Sequence, residues 1–430
     1  MKKICIYIIV AIAVLSMQSC LHDNNDNFDL SAAERIDALV NESYEVLESA
    51  ENGWVLHYYT GIDYAYGGLN FTVKFKDGRV SICQQGATDN NDEYITSTST
   101  YRINRDRSAV LAFDTYNDFL HIWAEPDASK NNAPTDVDGW QADYEFVIFN
   151  ISEDKNTILL KGKKWGNYMI MERLQKTPAE YLEDAAAIAN KMSEGIGLMK
   201  YDDGEFTAKF LYSDGQYIIT YTDADGNKQT LNVPFTYTDD GVIFCEPIEL
   251  NGNVISGVVY AEDSETFSLK DTKGMTISIS YDPVDVFQSG NWYLYMENLG
   301  EVAAAGLQSF IDTDKEVEGE DLDFAYIGTS KDGDYGFCFR SGGRYSGCTL
   351  FDVETEGADV ITFSYAGDDG NGEWYRENDN LGDATDPFFN TFKLTTDDVY
   401  NPTYFILTDV NNENNVIKLV QEKTESIDEN

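Results

Sequence analysis

The stretch Asn70-Phe71-Thr72-Val73-Lys74-Phe75-Lys76-Asp77-Gly78-Arg79-Val80-Ser81-Ile82-Cys83-Gln84 gives the clearest indication of the fold. On both sides of its central Asp-Gly pair, apolar and polar side chains alternate with a period of two residues. Such alternation is typical of β-strands with one buried face, and Asp-Gly between two such runs predicts a two-residue hairpin turn. The stretch therefore predicts two antiparallel strands, 70–76 and 79–84.

The same period continues on either side of this hairpin. Many short strands with polar turns and few helical stretches between them are typical of an antiparallel barrel or sandwich. The predicted strands of this first unit are 54–59, 70–76, 79–84, 99–104, 110–113, 119–123, 143–149, 157–161 and 168–174.

A helix precedes these strands. Ser31 followed by Glu34 predicts a capping box, and Asn52-Gly53 predicts the end of the helix. Between them, apolar residues recur at helical spacing. They are Ile36, Leu39, Val40, Tyr44 and Leu47.

The pattern restarts at Thr177-Pro178-Ala179-Glu180, where a cap, a first-turn proline and a glutamate predict a second helix. Strands follow again, and Phe206-Thr207-Ala208-Lys209-Phe210 resembles residues 71–75, which suggests an internal duplication. The predicted strands here are 205–212, 216–222, 229–237, 242–245, 254–260, 266–269 and 275–280.

Residues 283–289 are interpreted as a boundary before a third series. This series is predicted to hold a strand at 292–296, a helix around 301–310, an acidic loop at 312–321, and strands between 324 and 420 interrupted by a loop at 368–386. The predicted fold is mainly β, with two or three antiparallel barrel-like or sandwich-like units, each introduced by or associated with a short helix. The predicted domains are 30–175, 176–283 and 284–424, the last two forming one domain or two, with a frayed tail at 425–430.

The N-terminus has the features of a secretory signal peptide. Lys2 and Lys3 are followed by an apolar run of about a dozen residues, which is shorter than the ~20 that a membrane-spanning helix needs. Ser19 precedes Cys20, and a cysteine at the first mature position is what lipoprotein processing requires. We expect cleavage after residue 19, lipid attachment at Cys20 and a polar tether at 20–29, so that the protein is held on a membrane.

The composition excludes several classes of function. Asp and Glu number 76 against 30 Lys and Arg, giving a formal net charge of −46, so nucleic-acid binding is not expected. His22, His57 and His121 are the three histidines. Since no motif of a metal site or catalytic triad accompanies them, the sequence predicts no metal, no cofactor and no catalytic residue.

Cys338 and Cys348 flank Arg340-Ser341-Gly342-Gly343-Arg344, which is interpreted as a hairpin turn. The two cysteines lie opposite each other only if the loop has an odd number of residues, for example 342–344. A disulfide between them is one interpretation, although the sequence favours two free buried thiols.

One segment, 113–123, concentrates residues suited to binding. Asp114 and Asn117 could donate or accept hydrogen bonds to a ligand, while Tyr116, His121 and Trp123 could stack on it. The alternative is that the two polar residues satisfy backbone groups of a turn and that the aromatic residues fill the core. The sequence favours this second interpretation.

Five segments of the first unit match a known pattern. They are Phe28-Asp29-Leu30-Ser31-Ala32-Ala33-Glu34-Arg35-Ile36, Glu51-Asn52-Gly53-Trp54-Val55, the central Leu111-Ala112-Phe113-Asp114-Thr115-Tyr116-Asn117-Asp118-Phe119-Leu120-His121, Asp143-Tyr144-Glu145-Phe146-Val147 and Leu160-Lys161-Gly162-Lys163-Lys164. In these segments the chain resembles a family of Bacteroides lipoproteins, the domain of unknown function 4302 (DUF4302), and the resemblance covers residues 28–175. The resemblance implies a cell-envelope lipoprotein, often encoded beside a SusC-like and SusD-like nutrient-uptake pair. It implies no activity.

We therefore expect a non-enzymatic lipoprotein of the outer membrane, with surface exposure favoured, that binds a glycan, a peptide or a protein partner during nutrient uptake. Two alternatives stay open. One is a glycosidase-like hydrolase that uses two carboxylates in a cleft, and the other is a purely structural envelope protein.

Overall fold

The computed structural model describes residues 31–421, except 92, 195–197, 214, 264–265 and 274–275. The predicted signal peptide 1–19, Cys20, the tether 20–29 and the tail 425–430 lie outside the described residues. The described chain is mainly antiparallel β, with two closed barrels and one open sheet, which confirms the predicted fold class.

The first barrel follows helix α1 (Ala32–Glu48). Its strands are β1 (Trp54–Tyr59), β2 (Gly68–Lys76), β3 (Arg79–Gln84), β4 (Ser97–Arg105), β5 (Ala109–Phe113), β6 (Glu145–Ile151), β7 (Thr157–Gly162) and β8 (Tyr168–Arg173). They pair in sequence order, and β1 also pairs with β8, which closes the barrel. A 3-10 turn (Ile62–Tyr64) follows β1, and the long β5–β6 connection contains a 3-10 turn (His121–Ala124) and the short helix α2 (Ala128–Asn131).

The start and end of α1 show why the chain folds here as predicted. The capping box is present: Glu34 N donates to Ser31 Oγ at 3.3 Å, and Ser31 N donates to Glu34 Oε2 at 2.8 Å. At the other end, the indole N–H of Trp54 donates to the carbonyl oxygen of Leu47 at 3.0 Å. Gly53 links helix to strand with φ +86°, where a side chain would meet Val73 O, so glycine is required.

The second strand series follows helix α3 (Pro178–Glu194). Its strands are β9 (Leu198–Asp202), β10 (Thr207–Ser213), β11 (Gln216–Thr222), β12 (Lys228–Tyr237), β13 (Gly241–Leu250), β14 (Asn253–Ala261), β15 (Thr266–Asp271) and β16 (Thr276–Ile277). Strands β10 to β16 pair in sequence order and form the open sheet. Thr177 and Glu180 cap α3, since Thr177 N donates to Glu180 Oε2 at 2.9 Å and Glu180 N donates to Thr177 Oγ1 at 3.3 Å.

The open sheet packs against the first barrel through β12 and β2. Tyr59 OH donates to the carbonyl oxygen of Ile243 at 3.1 Å, and the Asn70 side-chain amide donates to Tyr237 O. A side chain at position 68 would collide with Phe235 O, so Gly68 allows the two strands to approach closely. The first barrel and the open sheet lie in one compact unit, which comprises the described residues up to Met192 and those between 203 and 279.

The second compact unit comprises the described residues between 193 and 202 and those from Ser280 to Gln421. It holds β9, where Lys200 and Ser280 form a backbone bridge, and the third strand series. The helices are α4 (Pro283–Ser289), α5 (Glu301–Val317), α6 (Gly370–Asn378) and α7 (Leu381–Thr385), with a 3-10 turn at Asp386–Phe388. The strands are β17 (Trp292–Leu299), β18 (Leu322–Thr329), β19 (Tyr335–Ser341), β20 (Tyr345–Glu356), β21 (Val360–Asp368), β22 (Thr391–Thr396), β23 (Tyr404–Asp409) and β24 (Val416–Val420).

Strands β17 to β24 pair in sequence order, and β17 also pairs with β24, so this series forms a closed barrel, here called the third barrel. Trp292 at the start of β17 is fully buried, and its indole N–H donates to Phe287 O of α4 at 2.8 Å. The ring of Phe287 stacks on that indole at 6.0 Å between centroids. Both barrels therefore begin with a buried tryptophan whose indole N–H is hydrogen-bonded to the preceding helix.

Three local predictions were wrong, and the predicted boundary at 283–289 is not one of them; those residues form α4, whose Val284, Val286 and Phe287 are buried in the barrel core. Residues 119–123 are not a strand but run into the 3-10 turn. The supposed acidic loop at 312–321 begins as the last turns of α5, where Asp314 continues the buried face. The supposed loop at 368–386 contains α6 and α7. In each case tertiary packing decides the structure of a polar or short segment.

The Cys338–Cys348 pair lies at directly opposite positions of β19 and β20. The loop between Ser341 and Tyr345 holds the three residues 342–344, an odd number that aligns the two cysteines. The structure joins them in a disulfide, whereas the sequence alone favours free thiols. Within the described part of the chain, Cys83 and Cys245 are not joined in a disulfide.

Candidate functional site

The β5–β6 connection of the first barrel contains the predicted binding residues, and Asn117 supports it from inside. Asn117 is fully buried. Its Nδ2 donates to Ser97 O at 3.2 Å and to Ser99 Oγ at 3.3 Å, while its Oδ1 accepts from Phe119 N at 3.1 Å. With these groups occupied, Asn117 fixes the loop to β4 and is not available to a ligand.

Asp114 and Trp123 also have partners within the protein. Asp114 Oδ1 accepts from Arg102 Nε at 2.8 Å, an ion pair at the surface. The Trp123 indole packs edge-on against Trp140, with centroids 5.8 Å apart, and its N–H points to Gln84 Oε1 at 3.4 Å. These two residues hold the connection in place more than they present a surface to solvent.

Tyr116 and His121, in contrast, form an exposed aromatic surface together with Tyr144. The His121 ring lies 5.3 Å from the Tyr116 ring and 4.9 Å from the Tyr144 ring, with interplanar angles of 32° and 26°. Tyr116 is 54% exposed and Tyr144 is 45% exposed. We call these three residues the aromatic stack. Sequence reasoning missed Tyr144, because it was assigned to a predicted strand at 143–149.

His121 acts in this stack as a neutral ring. Burial lowers the pKa of its imidazole, although hydrogen bonds to the backbone of Phe113 and Asn117 oppose this change. The backbone N–H of Asn117 donates to Nδ1 at 3.1 Å, which requires an unprotonated nitrogen there. A neutral imidazole stacked between two phenol rings adds no charge to this group of aromatic side chains.

A cavity of about 350 Å³ adjoins the stack, and Tyr144 belongs to both. Together they are called the cleft. The residues lining the cavity are Ala124, Asp138, Ala142, Asp143, Tyr144, Glu145, Lys163, Lys164 and Trp165. The lining thus combines two aromatic side chains with groups of both charges, contributed by the β5–β6 connection, the start of β6 and the β7–β8 turn.

Asp143 fixes the back of the cleft. It is 4% exposed, and its carboxylate accepts from Lys164 N at 2.7 Å and from Trp165 N at 3.1 Å. A side chain at position 162 would overlap this carboxylate, which explains glycine there. Burial raises the pKa of Asp143, although the two backbone N–H groups oppose the rise.

The charged residues of the cleft are paired with one another. Lys163 Nζ lies 3.3 Å from Glu145 and 3.6 Å from Asp106, and Lys164 Nζ lies 3.7 Å from Asp138. The Lys164 ammonium also lies 4.3 Å from the centre of the Trp165 ring. Because each acid of the lining is bound to a lysine or to backbone N–H groups, the arrangement suits binding of a ligand better than proton transfer to one.

A second polar group, which sequence reasoning did not anticipate, joins β1 to β12. His57 Nδ1 lies 2.6 Å from Thr236 Oγ1, and His57 Nε2 lies 3.4 Å from Glu172 Oε2, beyond good hydrogen-bond distance. The adjacent His57 ring is the main factor that lowers the pKa of Glu172, and burial opposes this change. This order of hydroxyl, imidazole and carboxylate resembles a catalytic triad. However, His57 and Thr236 are 1% and 2% exposed, so a substrate could not reach them.

Two further observations concern the described residues alone. In that part of the chain, no three or more His, Cys, Asp or Glu side chains are grouped so that they could hold a metal ion. None of the described helices combines the length and hydropathy needed to cross a membrane.

The fold and the cleft define a class: a multi-barrel antiparallel β protein with an aromatic cleft at the surface of its first barrel. The family model described as "Domain of unknown function (DUF4302)" matches residues 24–262, more than half of the chain. The chain belongs to this family, which confirms the resemblance seen in the sequence and extends it beyond residue 175. No curated protein matches the chain.

Among solved structures, the chain is similar at low level to bacterial DNA polymerase clamps. The DNA polymerase III beta chain from Streptococcus pneumoniae TIGR4 is 9% identical, with 92% of this chain and 98% of that chain covered and a TM-score of 0.12. The sliding clamp from Bartonella birtlesii is 10% identical, with 92% and 99% covered and a TM-score of 0.12. At these TM-scores the likeness carries no argument about fold or function.

Proposed function

We propose that this protein is a lipid-anchored outer-membrane lipoprotein of a Bacteroides-type bacterium, and that it binds a glycan or peptide for a nutrient-uptake system without catalysing a reaction. The observation that carries the binding function is the aromatic stack beside a polar cavity. Exposed, flat aromatic surfaces next to hydrogen-bonding groups suit a sugar ring or an aromatic or proline side chain.

The rigidity of the cleft supports binding. Asn117 ties the β5–β6 connection to the barrel, and Asp143 ties the start of β6 to the β7–β8 turn. A surface that is already ordered loses little conformational entropy when a ligand binds, which increases affinity. Each acid of the cavity lining is already bound to a lysine or to backbone N–H groups, and this favours binding over the glycosidase-like alternative.

The proposed location rests on the sequence. The charged and apolar start of the chain, Ser19 and Cys20 support lipid attachment, and membership of DUF4302 supports the envelope. SusC-like and SusD-like outer-membrane proteins are the proposed partners. Replacing Cys20 by Ala should abolish incorporation of a labelled fatty acid and release the protein from membranes, and protease treatment of intact cells should cut the anchored protein if it faces outward. Retained label in the variant would contradict lipid attachment at Cys20.

The binding function can be tested on glycan and peptide arrays with the unlipidated chain. We expect Tyr144→Ala to weaken binding of any ligand found, by up to about tenfold for one lost stacking contact. Phe149→Ala is the matched control, because Phe149 is 50% exposed on the same barrel but does not line the cavity. Equal loss in both variants would place the ligand elsewhere.

Two other outcomes would contradict the proposal. If no ligand binds and no SusC-like or SusD-like protein is recovered with the anchored chain, a structural role in the envelope is favoured. If a bound glycan is cleaved, and cleavage is lost in Asp143→Asn while binding remains, the hydrolase alternative is correct instead.

A further inference from the structure

His121 is a titratable side chain at the centre of the aromatic stack, and the proposed binding function makes no use of its acid–base chemistry. Its ring lies between those of Tyr116 and Tyr144, with centroids 5.3 Å and 4.9 Å away. Its backbone closes the turn that begins the β5–β6 connection, since His121 N donates to Asn117 O at 2.9 Å. One residue therefore joins the stack to the backbone of the connection.

This turn requires one protonation state of the ring. Asn117 N donates to His121 Nδ1 at 3.1 Å, so Nδ1 is an acceptor and the proton of the neutral ring is on Nε2. Protonation would place a second N–H group at Nδ1, directly opposite the N–H of Asn117. Two donors that face each other at this distance repel, so an imidazolium ring does not fit the turn as it stands.

Of the two partners, the ring is the one that is free to move. Asn117 is fully buried, and its side chain is bonded to Ser97 O, Ser99 Oγ and Phe119 N. These bonds hold its backbone against β4. His121 is only half-buried, so its ring has a path to solvent. A charged ring therefore leaves the turn, and with it the space between the two tyrosines.

The groups around the ring carry no charge that would hold an imidazolium there. The titratable side chains in contact with it are Tyr116, on its own connection, and Tyr144, at the start of β6. Phenols are uncharged below pH ~9, and although their faces attract a cation, this attraction is weak beside a full charge. The charged side chains of the packed elements have partners of their own: Asp114 with Arg102, Asp118 with Ser97, and Glu145 with Lys163.

We propose that protonation of His121 separates the rings of the aromatic stack, so that the cleft holds its ligand at neutral pH and releases it in acid. Tyr144 belongs to both the stack and the cavity, which links the movement of the ring to the cavity lining. Release of a ligand rests on the function proposed above, whereas the change in the chain itself requires no ligand.

The direction of the pH effect follows from the burial of the ring. Burial is the main influence on the pKa of the His121 imidazole and lowers it below its usual range. The stack is therefore fully stable above pH ~6.5, the pKa of a free imidazole, and loses stability as pH falls through the pKa of the folded form.

Hydrogen exchange of the full unlipidated chain without ligand, at pH ~7.5 and pH ~5, tests the proposal after correction for the intrinsic pH dependence of exchange. Peptides that span 114–124 should exchange at least about tenfold faster at pH ~5, while β2 and β3 should not change. In His121→Asn, the side-chain oxygen replaces Nδ1 as the acceptor without titrating. In His121→Phe, the ring is kept without an acceptor. Exchange in both variants should be independent of pH, and slower in His121→Asn.

Glu125→Gln is the matched control. Glu125 is a titratable residue of the same connection whose carboxylate lies 3.7 Å from Lys130, outside the stack and the cavity lining, so this variant should keep the full response to pH. Wild-type exchange that is equal at both pH values, or a response that persists in His121→Asn, would overturn the proposal.

The ligand gives a separate readout. The affinity for a ligand found on the arrays should fall at least about tenfold between pH ~7.5 and pH ~5 in the wild-type chain and stay constant in His121→Phe. Equal wild-type affinity at both pH values would overturn the release. Arrays that yield no ligand at pH ~7.5 would contradict the binding function instead, while a faster exchange in acid would still show that the stack responds to His121.

Discussion

The first and third barrels are built on the same framework but carry different chemistry. Each has eight antiparallel strands in sequence order, closed by its first and last strands. Each begins with a fully buried tryptophan, Trp54 or Trp292, whose indole N–H donates to a carbonyl of the preceding helix. The barrels differ in their connections: the first places its long segment between β5 and β6, whereas the third places α5 after β17 and α6 with α7 after β21.

The connections also differ in charge. The cleft of the first barrel pairs its acids with Lys163 and Lys164, and its buried aspartate, Asp143, accepts two backbone hydrogen bonds. In the third barrel, Asp379 is fully buried, and neither of its carboxylate oxygens has a hydrogen-bond partner among the described residues. The comparison teaches that the strand meander defines the fold, while the inserted segments define what each barrel can bind.

The largest expected effect comes from removing the buried tryptophan with which each barrel begins. Trp54→Ala and Trp292→Ala should each lower the free energy of unfolding by about 3–5 kcal/mol, because each removes a large, fully buried ring and leaves a carbonyl without its donor. Urea unfolding with peptide-level hydrogen exchange would show which barrel opens first in each variant. Trp374→Ala is the control: Trp374 is 55% exposed, so a loss below about 1 kcal/mol is expected. If Trp54→Ala behaved like this control, the tryptophans would not be equivalent framework elements.

A disulfide is the second difference between the two barrels that can be tested. The Cys338–Cys348 bond lies within the third barrel, while Cys83 in the first barrel is free. Closing a loop of this length stabilises a fold by about 2–4 kcal/mol, so a reductant should increase hydrogen exchange in β19 and β20 but not in β3. Mass spectrometry after alkylation should find Cys338 and Cys348 blocked until reduction. Alkylation of both without reductant would contradict the bond, and Cys83→Ser should not alter the response.

How much of this could be predicted from the sequence depends on how local each feature is. The capping boxes at Ser31 and Thr177 and the hairpin at Asp77-Gly78 involve residues a few positions apart, and the structure has them as predicted. The aromatic stack was only partly predictable: Tyr116 and His121 are close in sequence, but Tyr144 reaches them through a connection whose path depends on buried Asn117. Helices α6 and α7 were missed since their segment is polar and becomes helical through packing on the barrel.

The third prediction concerns pH. Burial, with the nearby carboxylates of Glu318, Asp314 and Glu320, raises the pKa of Asp379 from 3.8 to about 6. Between pH ~4 and ~6 the folded chain therefore holds more protons than the unfolded chain, so its stability falls as pH rises through this window and stays lower above it. Asp379→Asn should remove this loss, which raises stability at pH ~8 by up to about 3 kcal/mol and leaves it unchanged near pH ~4. Urea unfolding at several pH values measures the effect.

The control for this prediction is Asp332→Asn at an exposed turn, which should leave the pH profile of stability as it is. An unchanged profile in Asp379→Asn, or a loss of stability at high pH, would show that Asp379 is ionised in the folded chain and bound by a partner. In that case the difference between the buried aspartates of the two barrels would disappear.

The smallest expected effect comes from replacing the buried aspartate of the first barrel by asparagine. Asp143→Asn replaces one of two accepting oxygens by an N–H₂ group that faces the backbone donors of Lys164 and Trp165. Because one of these N–H groups then loses its acceptor, we expect a loss of about 1–2 kcal/mol at pH ~7, opposite in sign to the effect at Asp379. The loss is limited, since burial raises the pKa of Asp143 and its charge therefore has a cost as well. Unfolding experiments on the two Asn variants, in parallel at one pH, measure both signs. A gain in stability in both would mean that the backbone hydrogen bonds do not offset the burial of the Asp143 charge.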